Sequence, residues 1–372
     1  MGGLATVPVT MARWQAKAGL DVELWTSAAH GAQTAVAGTD VRVVERSGPA
    51  GFLDRSFFLR FERDLSRVDV VHTHSFWRPY TARFIFAASR LGKPTVHTMH
   101  GMFMDWPMRS KAPKKKAFLA IAGRRALRTV SAVQMLNRGE TEQSRHLGAD
   151  FRYFELPNGV DTAEFAALPP RGTLRATDPA LRDRTIVASL GRLHDIKGVD
   201  LLLRAFLDVA AEFPDAVLVM AGPDEGMLPA LQRMLSGHPA APRVRLPGLV
   251  RGDARLALLA DADVFAQPSR HETMSMSILE AAYAGLPLLL SDRCNAPEVA
   301  DAGAGVVVPT TVEGLRDGLR RMLRDQPLRA RAGAAARRMV EERFTLERVT
   351  PAMVEVYRRA RAGEPFPWVL SG

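Results

Sequence analysis

Four side chains in the second half of this sequence have the types and spacing to hold a phosphate ester between two sets of hydroxyls. Glu272 and Glu280 stand eight positions apart in SRHETMSMSILEAAYAGLPLLL. Glu280 falls inside an Ala- and Leu-rich helical pattern, and Glu272 lies just ahead of it. Ser and Thr cap helices well, so the helix is expected to begin near Thr273–Ser275. An open helix start offers unpaired N–H groups and a positive dipole end to an anion. Glu280 then lies about 9 Å farther in, at about 1.5 Å per residue. A ligand with hydroxyls at each end and phosphate between would use all three points, as the hexose, diphosphate and ribose of a nucleotide sugar do. Spacing alone leaves a plainer alternative open, with Glu272 capping its loop and Glu280 in a surface ion pair.

The other two side chains, Arg192 and Lys197, lie in SLGRLHDIKG, on a glycine-bracketed loop between a strand pattern and a helix pattern. Ligands of open α/β sheets bind at such strand exits. A guanidinium and an ammonium there suit a diphosphate whose charge grows as it departs; a solvated basic loop fits the same residues. Histidines form a rival constellation: His72 and His74 in HTH, His97 and His100 in HTMH. Such clusters can ligate zinc. No carboxylate ligand stands at the matching place, so the histidines are read as lining a pocket and no metal or cofactor is expected.

These residues need strand exits and helix starts, and the chain supplies both repeatedly. At 372 residues it is long enough for two domains. TIVASLGR, AVLVMAGP, VRLPGLV, DVFAQPS, LPLLLSD and AGVVVP read as strands, each followed or preceded by an amphipathic helix pattern. Strands without polar alternation, alternating with helices, imply a parallel sheet covered on both faces. The first half follows the same grammar with GLDVELWTS, VDVVHTHS, KPTVHTMHG, SAVQMLN and DFRYFELPNGV. Pro, Gly and Asp cluster between Pro157 and Arg175, where periodicity lapses. The expected division is a Rossmann-like domain over 1–165, a second over 166–350, and a C-terminal helix over 351–372 that could cross back to the first. A doubly wound domain opens with a central strand before its glycine turn. Here the chain starts at Gly2-Gly3, so that strand is expected upstream of Met1, with the start codon assigned too late.

The ordered set GRLHDIKG, VLVMAGP, VRLPGLV, ADVFAQPSRHE and LEAAYAGLP resembles the donor half of glycosyltransferase family 4 (glycosyl transferases group 1). GG before the first helix, HGM after a strand and LPNGVD at the crossover extend the resemblance to essentially the whole chain. It implies a GT-B fold, two Rossmann-like domains facing across a cleft, and a retaining transfer from a nucleotide diphosphate sugar. It further implies that Arg192 and Lys197 hold the diphosphate, Glu280 the ribose hydroxyls and Glu272 those of the transferred sugar. Backbone N–H groups at Met274, Ser275 and Met276 would meet the distal phosphate and sugar, and Leu249 would lie beside the base. Gly2 and Gly3 would let the first helix approach the donor, and His100 would sit near the reacting carbon. The sequence departs from the family at Thr273-Met274-Ser275, where a glycine-rich step is usual. Asp261-Ala262-Asp263 has the Asp-x-Asp form that holds metal in the other large glycosyltransferase fold, but it falls at a helix-to-strand junction and is read as polar capping.

Net charge is +10, and eight cations with no acid lie between Arg109 and Arg128, among them Lys111, Lys114, Lys115, Lys116, Arg124 and Arg125. The rest of the chain is nearly balanced, which argues against a nucleic-acid partner. The run is read as contacting an anionic membrane or the acceptor. No apolar stretch reaches the roughly 18 residues of a spanning helix, the first residues lack a signal-peptide layout, and one cysteine allows no internal disulfide. The expected location is the cytoplasm, including the inner face of the plasma membrane, and the expected acceptor a lipid-linked or growing cell-surface glycan. A GT-B epimerase or phosphorylase, or a non-catalytic nucleotide-sugar-binding protein, are the alternatives.

Overall fold

The computed structural model describes residues 3–26, 36–37, 39, 41–45, 61–77, 79–145 and 152–365. The chain divides into two compact units, Met1–Gly159 with Leu346–Gly372, and Val160–Thr345.

The first unit runs α1 (Gly3–Lys17), β1 (Glu23–Thr26), β2 (Arg42–Glu45), β3 (Val71–His74), α2 (Pro79–Arg90) and β4 (Thr95–Thr98). It continues with α3 (Asp105–Arg109), α4 (Ala112–Phe118), a π turn (Leu119–Gly123), α5 (Arg124–Thr129), β5 (Ala132–Met135), α6 (Arg138–Ser144) and β6 (Tyr153–Glu155). Strands β3-β4-β5-β6 form one parallel sheet, and β1 pairs with β2 in parallel. Gly2 lies outside the described residues; Gly3 opens α1.

The second unit holds α7 (Thr162–Phe165), α8 (Thr173–Thr177), β7 (Thr185–Leu190), α9 (Val199–Val209), β8 (Ala216–Ala221), α10 (Leu228–Leu235), β9 (Val244–Gly248) and α11 (Gly252–Asp261). Then come β10 (Val264–Gln267), α12 (Met276–Tyr283), β11 (Leu288–Ser291), α13 (Pro297–Asp301), β12 (Gly305–Val308), α14 (Val312–Arg324) and α15 (Gln326–Arg343). Its six strands are parallel in the order β12-β11-β10-β7-β8-β9. The period-two geometry of a strand sorts its apolar run onto two cores. Ile186, Ala188, Leu190, Val217 and Val219 meet Leu259 of α11, Leu279 of α12 and Val340 of α15. Val187, Leu218 and Met220 meet Leu202, Leu203 and Phe206 of α9 and Leu315, Leu319 and Met322 of α14. Both faces are therefore dry, which is why these strands carry no polar alternation.

The last helix, α16 (Leu346–Ala362), belongs to the first unit. Its Val349, Met353, Val356 and Ala360 pack with Met11, Val96, Ala132 and Phe154. The helix begins ahead of residue 351, because its apolar face begins with buried Leu346 and Val349.

The Asp-x-Asp pair is structural. Asp261 is fully buried, and its carboxylate accepts the N–H of Gly172 and, at 2.8 Å, that of Arg175 at the start of α8. Asp263 pairs with Arg171 and with Arg175 at 3.0 Å, and accepts the Ile186 N–H at 2.8 Å. Together they tie α8 to the entrances of β7 and β10.

Candidate functional site

The second sheet reverses its winding between β7 and β10. From β7 the chain proceeds to β8 and β9 on one side, then crosses to β10, β11 and β12 on the other. Neighbouring strands whose connections diverge leave an opening at their carboxyl ends. Lys197 lies beyond β7, at the end of a short 3-10 turn (Asp195–Lys197), and Glu272 lies beyond β10. Lys197 Nζ donates to Glu272 Oε1 with both side chains largely buried. The same oxygen accepts from Gln267 Nε2 at 2.8 Å and Ser269 Oγ at 2.7 Å.

Glycine makes this meeting possible. Gly198 has φ +62°, and a Cβ there would stand 2.1 Å from the Pro268 carbonyl oxygen. Only a residue without Cβ lets the loop after β7 approach the loop after β10 so closely. Arg270 closes the junction from the other side. Its backbone N–H reaches Ile196 O at 2.8 Å, and its guanidinium holds both Asp200 oxygens at 2.8 Å and the Asp195 carbonyl at 2.6 Å. Burial pushes the Asp200 carboxyl up, but the Arg270 fork outweighs it and holds the group below its ordinary value.

Helix α12 starts at Met276 with Ser275 in the capping position, and Met274 is partly buried against the core. Glu280, one turn in, pairs with Arg255 Nη1 at 2.5 Å, and Arg255 also reaches Glu164 at 2.6 Å. Burial pushes the Glu280 carboxyl above its usual range against the pull of Arg255. Arg192 is not brought to Glu272: it pairs with Glu225, beyond β8, in an exposed contact. Leu249 follows β9 and is 48% exposed.

In the first unit the histidines bond to one another and to hydroxyls. Gln15 Nε2 donates to Tyr357 OH (2.8 Å), which meets His72 Nδ1 (2.6 Å); His72 Nε2 meets Thr98 Oγ1 (2.7 Å). Thr98 donates to Gln134 Oε1 (2.6 Å), and Gln134 donates to Leu156 O (2.8 Å). Every donor in this row finds an acceptor only when His72 is neutral with its proton on Nε2. His74 Nδ1 lies 2.9 Å from His100 Nε2, and His100 has a left-handed backbone, φ 52°. Burial pushes His72 and His97 down to about 3 and His100 to about 4, and His74 well below its ordinary value, with the neighbouring histidines adding to the shift at His72, His74 and His97. Among the described residues no group of three or more His, Cys, Asp or Glu is arranged to hold a metal ion.

The profile described as Glycosyltransferase Family 4 matches residues 1–164, and that of Glycosyl transferases group 1 matches 172–339. The D-inositol 3-phosphate glycosyltransferase of Xylanimonas cellulosilytica is 30% identical over 98% of this chain and 93% of its own. The chain is a family 4 glycosyltransferase. A phosphatidyl-myo-inositol mannosyltransferase of Mycolicibacterium smegmatis is 29% identical over 78% of this chain and 70% of its own. A GDP-mannose-dependent alpha-(1-6)-phosphatidylinositol monomannoside mannosyltransferase of that organism is 34% identical over 49% and 50%. Among solved structures, Anabaena HepE in complex with UDP superposes with TM-score 0.80 at 17% identity, covering 96% of each chain. Sucrose-phosphate synthase of Thermosynechococcus elongatus gives 0.78 at 19% identity, covering 98% and 94%. The fold of this glycosyltransferase is therefore GT-B, with two parallel-sheet α/β units.

Several groups at the site of this glycosyltransferase carry no signal in short-range spacing. Gln267 is a polar residue ending an otherwise apolar strand, which marks it as unusual but not as a partner of Glu272. Arg270 and Asp200, and Glu280 and Arg255, meet only in the folded unit. Glu140 is fully buried, accepts the N–H of Gly101 and, at 2.7 Å, that of Leu136, and is pushed up to about 7 by burial. It thereby ties the exit of β4, next to His100, to the exit of β5.

The basic run covers α4 and the π turn into α5. Lys111, Lys114, Lys116, Arg124 and Arg125 are exposed. Lys115 donates to Pro107 O at 2.5 Å and lies 5.0 Å above the Trp77 ring. Ile121 is 82% exposed and Trp106 41%. Among the described residues no helix is long and apolar enough to cross a membrane.

Proposed function

We propose that this glycosyltransferase moves a hexose-type sugar from a nucleotide diphosphate sugar to a hydroxyl of a lipid-linked or growing cell-surface glycan, with the anomeric configuration retained. One observation carries the donor half: the Lys197–Glu272 pair at the switch point, one loop away from the start of α12. Lys197 has three N–H donors and spends one on Glu272, leaving two for phosphate. Arg192 can join it at little cost, because an exposed pair such as Arg192–Glu225 is worth about 0–1 kcal/mol and a charge-assisted bond to phosphate is stronger. Glu280 gives Arg255 its Oε2 and keeps Oε1 for ribose hydroxyls. Leu249 offers the base an apolar face, and the N–H groups at Met274, Ser275 and Met276 serve the distal phosphate and sugar.

The acceptor oxygen attacks the anomeric carbon as the bond to phosphate breaks. The acceptor proton passes to the departing phosphate oxygen on the same face, and the products are glycoside and nucleoside diphosphate. Stabilising the departing charge supplies most of the acceleration. His100, neutral, offers a hydrogen bond at the sugar. Lys197, Arg192 and the helix start supply the positive charge, so no metal is required. Relatives named for D-inositol 3-phosphate and for phosphatidylinositol mannosides support an acceptor that is itself phosphorylated or lipid-borne. Exposed Trp106 and Ile121 among Lys111, Lys114, Lys116, Arg124 and Arg125 support docking on anionic lipid at the inner membrane face.

The test is a thermal-shift panel of UDP-, GDP-, ADP- and dTDP-sugars, followed by nucleoside diphosphate release with the stabilising donor. UDP and GDP come first, since a structural neighbour holds UDP and a relative is named for GDP-mannose. Lys197→Met should abolish release while the protein stays folded by circular dichroism, with some stability lost because Glu272 loses its cation. Full turnover by Lys197→Met would refute the donor assignment.

A further inference from the structure

We infer that Gln267 is a positioning residue of the donor site, acting on Glu272 and on the start of α12 at once; this rests on the donor reading above. Gln267 closes β10 and is 3% exposed. Its Nε2 donates to Glu272 Oε1 at 2.8 Å and lies 3.0 Å from Ser275 Oγ. Its Oε1 accepts from Ser277 Oγ at 3.0 Å and Ser275 Oγ at 3.1 Å. The amide lies this way round for a physical reason. Turned over, its oxygen would face the Glu272 carboxylate, acceptor against acceptor.

Two consequences follow for the substrate. Glu272 Oε1 is filled by Lys197, Gln267 and Ser269, so Oε2 is the oxygen presented to a sugar hydroxyl. Gln267 selects that oxygen. Second, Ser275 occupies the capping position of α12 yet makes no side-chain cap bond to its own helix. A serine there ordinarily accepts an N–H of the first turn. Here its hydroxyl is held by Gln267 and by Ser277, at 3.0 Å. Gln267 thus keeps Ser275 from closing on the first-turn N–H groups of Ser277 and Ile278, which adjoin the N–H of Met276 and are left open to the same phosphate.

Gln267→Met keeps the volume and removes every bond the amide makes. Ser275 then keeps only Ser277 as a partner and can turn to cap α12 in competition with the ligand. By isothermal calorimetry, UDP or GDP, whichever the unaltered protein binds, should bind about tenfold more weakly, the effect of one cap-strength interaction. Adding Ser275→Ala, which cannot cap, should recover most of that loss. A residue acting by packing alone would not behave so, since a second truncation beside the first would weaken binding further. Ser277→Ala, which frees one side of the amide, should cost about threefold by the same reasoning, and it carries the test where Gln267→Met does not fold. Undiminished nucleotide binding by Gln267→Met, or by Ser277→Ala in its place, overturns the inference and leaves the donor reading standing. So does a double variant no better than Gln267→Met. If the unaltered protein binds none of UDP, GDP, ADP and dTDP, the donor reading fails and this inference with it.

Discussion

Acid should open the first unit of this protein well before ordinary carboxylate titration, and the histidines around β3 and β4 set the size of the effect. In the unfolded chain these groups titrate at about 6.5; folded, His72 and His97 titrate at about 3 and His100 at about 4. The folded state therefore binds fewer protons between those limits. Their contribution is fully present above about 6.5 and is lost as pH falls from there. At pH 5 each has lost about 2 kcal/mol, at about 1.36 kcal/mol per pH unit, and the three together about 6 kcal/mol. His74 shifts the same way. Glu140 opposes them. Its folded value of about 7 exceeds the ordinary 4.5, so its cost is relieved on acidification, returning about 2 kcal/mol between pH 7 and pH 5. The histidines win by about 3 kcal/mol or more, a large share of a typical 5–15 kcal/mol stability. All five tryptophans lie in the segments of the first unit, so tryptophan-detected urea unfolding reads that unit alone. The midpoint should fall between pH 7 and pH 5, and His72→Asn should lower the slope of stability against pH by about 1.36 kcal/mol per unit. A midpoint unchanged or raised at pH 5 would show that the histidines are not buried as neutral groups, and the neutral His100 assigned above would fail with it.

Four further outcomes test the geometry. Gly198→Ala forces a left-handed backbone on alanine and a Cβ into the Pro268 carbonyl; it should destabilise the second unit by more than about 2 kcal/mol and lower nucleotide affinity, read by circular dichroism and calorimetry. Arg270→Ala leaves Asp200 partly buried without its partner and unpins the loop bearing Lys197. About 1–3 kcal/mol of stability should be lost and donor KM should rise; unchanged KM would show that the loop holds its place unaided. Tyr357→Phe strands Gln15 and His72 Nδ1 and should cost the first unit about 1–3 kcal/mol in the tryptophan-detected titration. Nucleoside diphosphate release should persist in a chelator at full rate, since Lys197, Arg192 and the start of α12 carry the charge in the proposed reaction; loss on chelation restored by a divalent cation would contradict it.

Much of this architecture was legible in the order of residues alone. Apolar runs of strand length alternating with amphipathic helices specify a parallel sheet covered on both sides, because a strand without polar alternation must bury both faces. Glycine and basic residues at a strand exit, and a glutamate just before a helix pattern, marked Lys197 and Glu272 as candidates for the same reason: local spacing determines what lies at a helix start. What the tertiary structure decided is which exits are neighbours. The order β12-β11-β10-β7-β8-β9 brings Lys197 to Glu272, sends Arg192 to Glu225 and gives Glu280 to Arg255. It also lets Gln267 serve both Glu272 and the start of α12. Tyr357 reaches His72 across 285 positions of chain because α16 covers the first unit's sheet. Periodicity and propensity act over a few residues, whereas these contacts depend on strand order and helix docking, which no short stretch of sequence encodes.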